Sequence, residues 1–329
     1  MTNDVAFKSK SSGFEYYDFM HDATTEIVID EIKFATKFFK RKIDYPFLIS
    51  CMTGGTSEAD NINSQLALVA KELNIPVGVG SQRQALENNK YVESFKIVRK
   101  NAPNIPILSN IGAAQIVQFD SIDPVKKIID MIEADALVIH LNPLQELLQK
   151  EGETNFKGLL RKIKKITKNL TIPVITKEVG SGISAEAAEK LLDAGVLGID
   201  VAGSGGTSWA GVEILRNKQN ENNIFWDWGL PTSFCISGVS KLKKRFKFTL
   251  IGSGGINTPL EAAKAFALGA DLVASARKIL MILNESGIEG TVEYITGMFD
   301  EIKKVMYLTD SKNLKVLKKG KLIRKEFLI

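Results

Sequence analysis

Cysteine is scarce in this chain. Cys51 and Cys235 are its only two cysteines, and neither belongs to a CxxC pair. A disulfide framework or a cysteine zinc site is thereby excluded, and a reducing, cytoplasmic setting is the expectation. No apolar run reaches the 18 residues that a membrane span requires. Residues 1–10 lack the apolar core of a secretory signal. There is no internal repeat and no low-complexity segment. The net charge is only +5. The cationic runs at 241–247 and 312–325 hold a single aromatic, Phe246, and no nucleic-acid module, so they read as solvated surface rather than a nucleic-acid site. A mild positive bias suits an anionic small-molecule substrate.

What the chain has is alternation. Its 329 residues accommodate two average domains or one large α/β barrel. Short apolar, β-branched runs fall at 47–50, 76–79, 105–108, 136–139, 172–175, 198–201, 248–251 and 272–275. Amphipathic helical stretches lie between them, at 59–73, 92–101, 124–133, 159–167 and 185–194. Strands alternating with helices imply right-handed βαβ units and a parallel sheet. Eight such units predict an α/β fold closed as a (β/α)8 TIM barrel. The expected organisation is an N-terminal extension over 1–45 packed on the barrel, the barrel over 46–289, and a C-terminal helix with a basic tail over 290–329. A lid-like insertion near 217–230 carries Trp226, Trp228, Gly229 and Pro231.

Function in such a barrel collects where the strands end. The seventh run passes into Ser253-Gly254-Gly255-Ile256-Asn257 and then a helix near Pro259. Glycines bring backbone N–H groups close to an anion, and a helix N-terminus adds partial positive charge. The sixth run ends in Gly205-Gly206-Thr207, so two glycine-rich turns would face one another around a phosphate, or serve only as tight βα turns. Lys177 closes the fifth run. It fits an anion or a polarised ring, or else reaches out to solvent. A phosphate site beside such a lysine suits a flavin mononucleotide. Arg83 can fork onto an oxyanion. Glu146 fits either a Mg²⁺ ligand or a first-turn carboxylate favoured by the helix dipole. His140 fits either a catalytic or a structural histidine.

These strand ends together resemble the type 2, flavin-dependent isopentenyl-diphosphate isomerases. The resemblance runs from about Phe14 to the C-terminus. It rests on Met52-Thr53-Gly54-Gly55, Gly80-Ser81-Gln82-Arg83 and His140-Leu141-Asn142-Pro143-Leu144-Gln145-Glu146. Further matches are Glu151-Gly152-Glu153, Lys177-Glu178, Gly205-Gly206-Thr207, Asp227-Trp228-Gly229-Leu230-Pro231-Thr232 and Ser253-Gly254-Gly255-Ile256. The resemblance implies FMN contacts from Met52, Thr53, Gly54, Ser81, Asn110, Lys177, Thr207, Gly255, Ile256, Asn257, Ala276 and Arg277. It implies substrate contacts from Arg83, His140, Asn142 and Gln145, catalysis by Gln145 and His140 beside the reduced flavin, and Mg²⁺ on Glu146. NADPH would serve only as the flavin reductant, and the assembly would be a homo-oligomer, a tetramer or octamer.

The chain departs from that pattern at its start. The family carries an Arg-Lys-x-x-His element there, which Lys8 and Lys10 do not match. The expectation is a complete flavin site with an incomplete diphosphate grip, or a start codon further upstream. Two alternatives stand beside the isomerase: an FMN-binding homologue with an altered or lost substrate site, and a hydroxy-acid oxidoreductase. The second would need a histidine base after the sixth or seventh strand, and residues 216–253 contain none.

Overall fold

Eight parallel strands close into a barrel in sequence order. They are β1 (Phe47–Ile49), β2 (Val77–Gly78), β3 (Ile107–Gly112), β4 (Ala136–Leu141), β5 (Val174–Glu178), β6 (Gly198–Asp200), β7 (Thr249–Gly252) and β8 (Leu272–Ser275). The computed structural model describes residues 5–218 and 223–327. Residues 219–222 of the expected insertion, 1–4 of the extension and 328–329 of the tail lie outside that range. The (β/α)8 architecture expected from the alternation is the one observed, with each apolar run contributing a strand.

The barrel interior changes character along its axis. Side chains alternate between the two faces of a strand. Leu48, Leu108, Ala136, Val138, Ile175, Ile251, Leu272 and Ala274 form a dry layer inside the barrel. Phe38 and Ile43 join this layer from a hairpin of Thr36–Phe38 and Arg41–Ile43. Arg41 pairs with Asp135, just before β4, which sets the hairpin against the N-terminal end of the barrel. Each of these two plugging side chains contributes about 1.5–3 kcal/mol by leaving water. Two residues further along the strands the inward positions turn polar: Asn110, His140 and Lys177. A closed apolar floor thus lies beneath a polar mouth.

The outer faces of the strands pack on the surrounding helices. Their starts are capped locally. Thr56 accepts from Ala59 N–H to begin Ser57–Glu72. Thr258 and Glu261 form a reciprocal capping box that begins Pro259–Ala267, with Pro259 in the first turn. This box fixes where the chain leaves the glycine turn after β7.

The final region differs from the sequence reading. The long helix expected from Gly290 is present and runs to Tyr307, but a further helix, from Arg277 to a kink at Gly287, precedes it. Gly287 has φ +66, a conformation that favours glycine and interrupts the helical ladder. Leu322–Arg324, read as tail, is a strand paired antiparallel with Tyr17–Phe19. Neither segment alternates strongly enough to announce a strand, and their pairing spans nearly the whole chain. Among the described residues, no helix is long and apolar enough to cross a membrane.

Candidate active site

The mouth is organised by strand register. Gly112, His140, Lys177 and Asp200 are successive partners across β3, β4, β5 and β6. Lys177 Nζ lies 3.6 Å from Asp200 Oδ2 and donates to the backbone oxygen of Glu178 at 2.9 Å. Asp200 Oδ1 accepts from Ser253 Oγ at 2.5 Å, whereas its Oδ2 is buried with no hydrogen-bond partner. A charge placed this deep needs an opposite charge beside it, and Lys177 supplies it.

His140 Nδ1 lies 2.9 Å from Asn110 Oδ1. Because Asn110 Nδ2 donates to the backbone oxygen of Val79, its Oδ1 is the acceptor and His140 Nδ1 carries the hydrogen. The Nε2 lone pair is then free to accept. Burial, reinforced by the nearby Lys177 charge, lowers the His140 pKa to about 4. His140 is therefore a neutral imidazole at neutral pH. Gly112 makes room for it, since a Cβ there would stand 3.0 Å from Nε2.

The second polar group starts the helix Pro143–Leu148. Asn142 Nδ2 donates to Gln145 Oε1 at 3.2 Å and to Glu146 Oε1 at 2.9 Å. Glu146 Oε2 accepts from Glu153 N–H at 2.8 Å. Gly152 permits that turn, because a side chain there would strike the Glu146 backbone oxygen. Asn142 Oδ1 is buried without a partner. Gln145 Nε2 donates to Glu213 Oε1 at 3.2 Å, and Arg216 pairs with the same oxygen at 3.0 Å.

The two glycine turns meet. A Cβ on Gly254 would lie 2.1 Å from Gly203 O, and one on Gly255 2.5 Å from Gly205 C. No other residue permits that approach, and both glycines have positive φ, +98 and +66. Among the described residues, no acceptor meets the N–H groups of Gly255 and Ile256. A loop with unpaired amides, joined to a second glycine turn, fits an anionic group such as a phosphate.

Other sequence-chosen residues are placed more loosely. Thr207 pairs in an isolated bridge with Ala6, so the N-terminal segment crosses the sixth-strand turn. Asp227 accepts from the N–H groups of Lys8 and Ser9, and Lys10 Nζ donates to Gly229 O. Met52, Thr53 and Gly54 follow β1, where Thr53 O accepts from Gly80 N–H and Gly54 presses on Phe95. Ser81 is exposed and Gln82 fully buried, donating to Ile128 O and accepting from Ser109. Arg83 stands on the rim beside Glu87 at 3.5 Å. Asn257 is exposed, its N–H donating to Glu261 and its carbonyl accepting from Tyr294. Ala276 and Arg277 open the helix after β8.

Two residues escaped the sequence reading. Asp200 is a carboxylate inside the apolar run 198–201, and that position is the local sign of its role. Glu213 sits mid-helix in Trp209–Arg216 and carries no local sign of its role. Beside the site, Glu178 Oε2 accepts from four successive N–H groups, those of Val179, Gly180, Ser181 and Gly182. Burial pushes its carboxyl up to about 7 while those four amides act in the opposite direction. Burial likewise pushes the Cys51 and Cys235 thiols up to about 12.

A closed barrel with paired glycine turns beside an inward lysine defines a flavin barrel of the FMN-dependent dehydrogenase class, and residues 140–324 match the family model described as FMN-dependent dehydrogenase. Solved structures of similar fold include a lactate oxidase from Pediococcus acidilactici, with TM-score 0.69 and 16% identity over 94% of this chain and 84% of that one. A flavocytochrome b2 variant aligns with TM-score 0.70 and 16% identity over 95% of this chain and 77% of that one. At such identity the likeness is of fold alone. Full-length similarity is far stronger elsewhere. The isopentenyl-diphosphate delta-isomerase of Chlorobium phaeobacteroides is 43% identical over 98% of this chain and 92% of its own length. That of a Nostoc species is 43% identical over 97% and 91%. The chain belongs to the isopentenyl-diphosphate delta-isomerase family.

Proposed function

We propose that this protein interconverts isopentenyl and dimethylallyl diphosphate, adding a proton at one end of the alkene and removing one from the other. The observation that carries this reading is the end-to-end similarity to relatives bearing that name. The mouth geometry supports a role for each group. Reduced FMN, when bound, would supply an electron-rich face that exchanges the proton and stabilises positive charge developing at the tertiary carbon.

The glycine turns and the helix start at Ala276–Arg277 would hold the cofactor phosphate, together with Thr207, Gly255, Ile256 and Asn257. Met52, Thr53, Gly54, Ser81 and Asn110 would line its remaining contacts. Lys177 would stabilise negative charge on the ring, and Asp200 holds the lysine in place. Neutral His140 offers Nε2 as an acceptor toward the substrate. Arg83 and Asn142 would meet the diphosphate. Gln145, oriented by Asn142 and Glu213, would present its amide to the reacting carbons. Glu146 and the unpartnered Asn142 Oδ1 are hard oxygens of the kind Mg²⁺ takes alongside substrate phosphates. NADPH would be the flavin reductant. Homo-oligomeric assembly and a cytoplasmic setting complete the proposal; two cysteines outside any disulfide suit a reducing compartment.

The test is incubation with FMN, NADPH, Mg²⁺ and isopentenyl diphosphate in heavy water. Dimethylallyl diphosphate carrying deuterium is the expected product. Its absence at millimolar substrate overturns the reading.

A further inference from the structure

Glu178 ends β5 directly after Lys177 and faces the opposite way, into the barrel wall. The residue is 5% exposed, and among the described residues no cation pairs with its carboxylate. Instead the chain curls around Oε2 so that four consecutive amides converge on one oxygen, at 2.7, 2.7, 2.5 and 3.2 Å. Gly180 and Gly182, with φ +152 and +83, allow the curl. The loop so formed is a junction. Ser181 O accepts from Leu230 N–H at 2.9 Å. A Cβ on Gly229 would lie 2.9 Å from Ser181 Cα, and one on Gly180 2.8 Å from Thr207 O. A Cβ on Gly182 would stand 2.8 Å from Cys235 Sγ. The segment carrying Trp228 and the turn carrying Thr207 therefore both rest on residues 179–182. Glu178, Ser181, Gln145, Trp209 and Trp228 line one small space.

We propose that Glu178 is a positioning residue for the isomerase: its carboxylate shapes the loop 179–182, which seats the covering segment at Gly229–Leu230 over the site and so sets substrate affinity. The inference rests on the isomerase reading above. Removing the carboxylate takes the acceptor from the Val179, Gly180 and Ser181 amides, while Gly182 N–H keeps its bond to Ala202 O, and the loop relaxes. The cover above it then loses its seat. Lys177 keeps its place, because the backbone oxygen of Glu178, strand register and Asp200 hold it and none depends on the Glu178 side chain. Affinity should suffer and the chemical step should not.

The experiment uses the FMN-loaded full chain with E178Q and E178A. E178Q keeps one acceptor oxygen of the same shape without its charge; E178A removes the acceptor. KM for isopentenyl diphosphate should rise about tenfold in E178Q and further in E178A, with kcat held within about twofold. Trypsin cleavage after Lys10, whose Nζ is held by Gly229 O, should accelerate in the same order when read on the substrate-free protein. Should E178A fail to fold, E178Q decides. Wild-type KM in the folded variants, or a fall in kcat at unchanged KM, overturns the proposal. So does unchanged cleavage. A wild-type protein without isomerase activity defeats the functional reading alone, since the cleavage comparison still reports on the loop.

Discussion

Gln145 Nε2 donates to Glu213 Oε1, joining the helix that follows β4 to the helix that follows β6 across the barrel mouth. Glu213 is 2% exposed, and Arg216 holds the same oxygen from the solvent side. The pair fixes which end of the Gln145 amide faces the site, since Asn142 already donates to its oxygen. Replacing Glu213 by Gln offers a second amide with no preferred orientation. A misdirected buried amide costs about 1–3 kcal/mol, so E213Q should lower kcat by about ten- to a hundredfold. Product formation at saturating substrate measures it, and a wild-type kcat would sink the assignment.

Lys177 and Asp200 should behave as a unit. Taking away the lysine leaves a buried carboxylate without its cation, which costs about 3–5 kcal/mol. K177M should therefore unfold at markedly lower urea concentration than wild type. The double variant K177M/D200N should recover most of that loss while still binding FMN poorly. Equal instability of the single and double variants would show that the pair is not coupled.

His140 sets a pH dependence. Its folded pKa, about 4, lies below the ordinary value of 6.5. As pH falls, the unfolded chain takes up this proton first. The stability at stake is complete above about 6.5 and is lost as pH falls through about 4. The shift corresponds to roughly 3 kcal/mol at full extent. Urea unfolding at pH 8 and pH 4.5 should show H140Q losing less stability than wild type over that interval. Parallel losses in the two proteins would contradict a half-buried neutral imidazole.

Gly255 tests the joined turns. Alanine there must adopt φ +66, costing about 1–2 kcal/mol, and its Cβ would meet Gly205 backbone at 2.5 Å. G255A should keep the barrel's far-UV circular dichroism yet weaken FMN binding at least about tenfold, read by fluorescence titration. G297A is the control, because nothing lies within 4 Å of a Cβ at Gly297. Unchanged flavin affinity in G255A would remove this turn from the cofactor site.

The barrel was legible in local sequence patterns. Alternation of short β-branched runs with amphipathic stretches is written within windows of about ten residues, where strand and helix periods differ. The turns after β6 and β7 were legible for the same reason, because paired glycines name a backbone conformation wherever they occur. His140, Lys177, Asn142 and Glu146 could be picked out by their position after an apolar run. Tertiary structure alone decided how they engage one another. Register placed His140, Lys177 and Asp200 side by side, and β-strand register depends on neighbours far away in sequence. Glu213 reached Gln145 across 68 positions, Phe38 and Ile43 plugged the barrel, and Leu322–Arg324 found Tyr17–Phe19. Each is a contact made only after the chain closes, when burial and hydrogen-bond demand select among partners that no local pattern distinguishes.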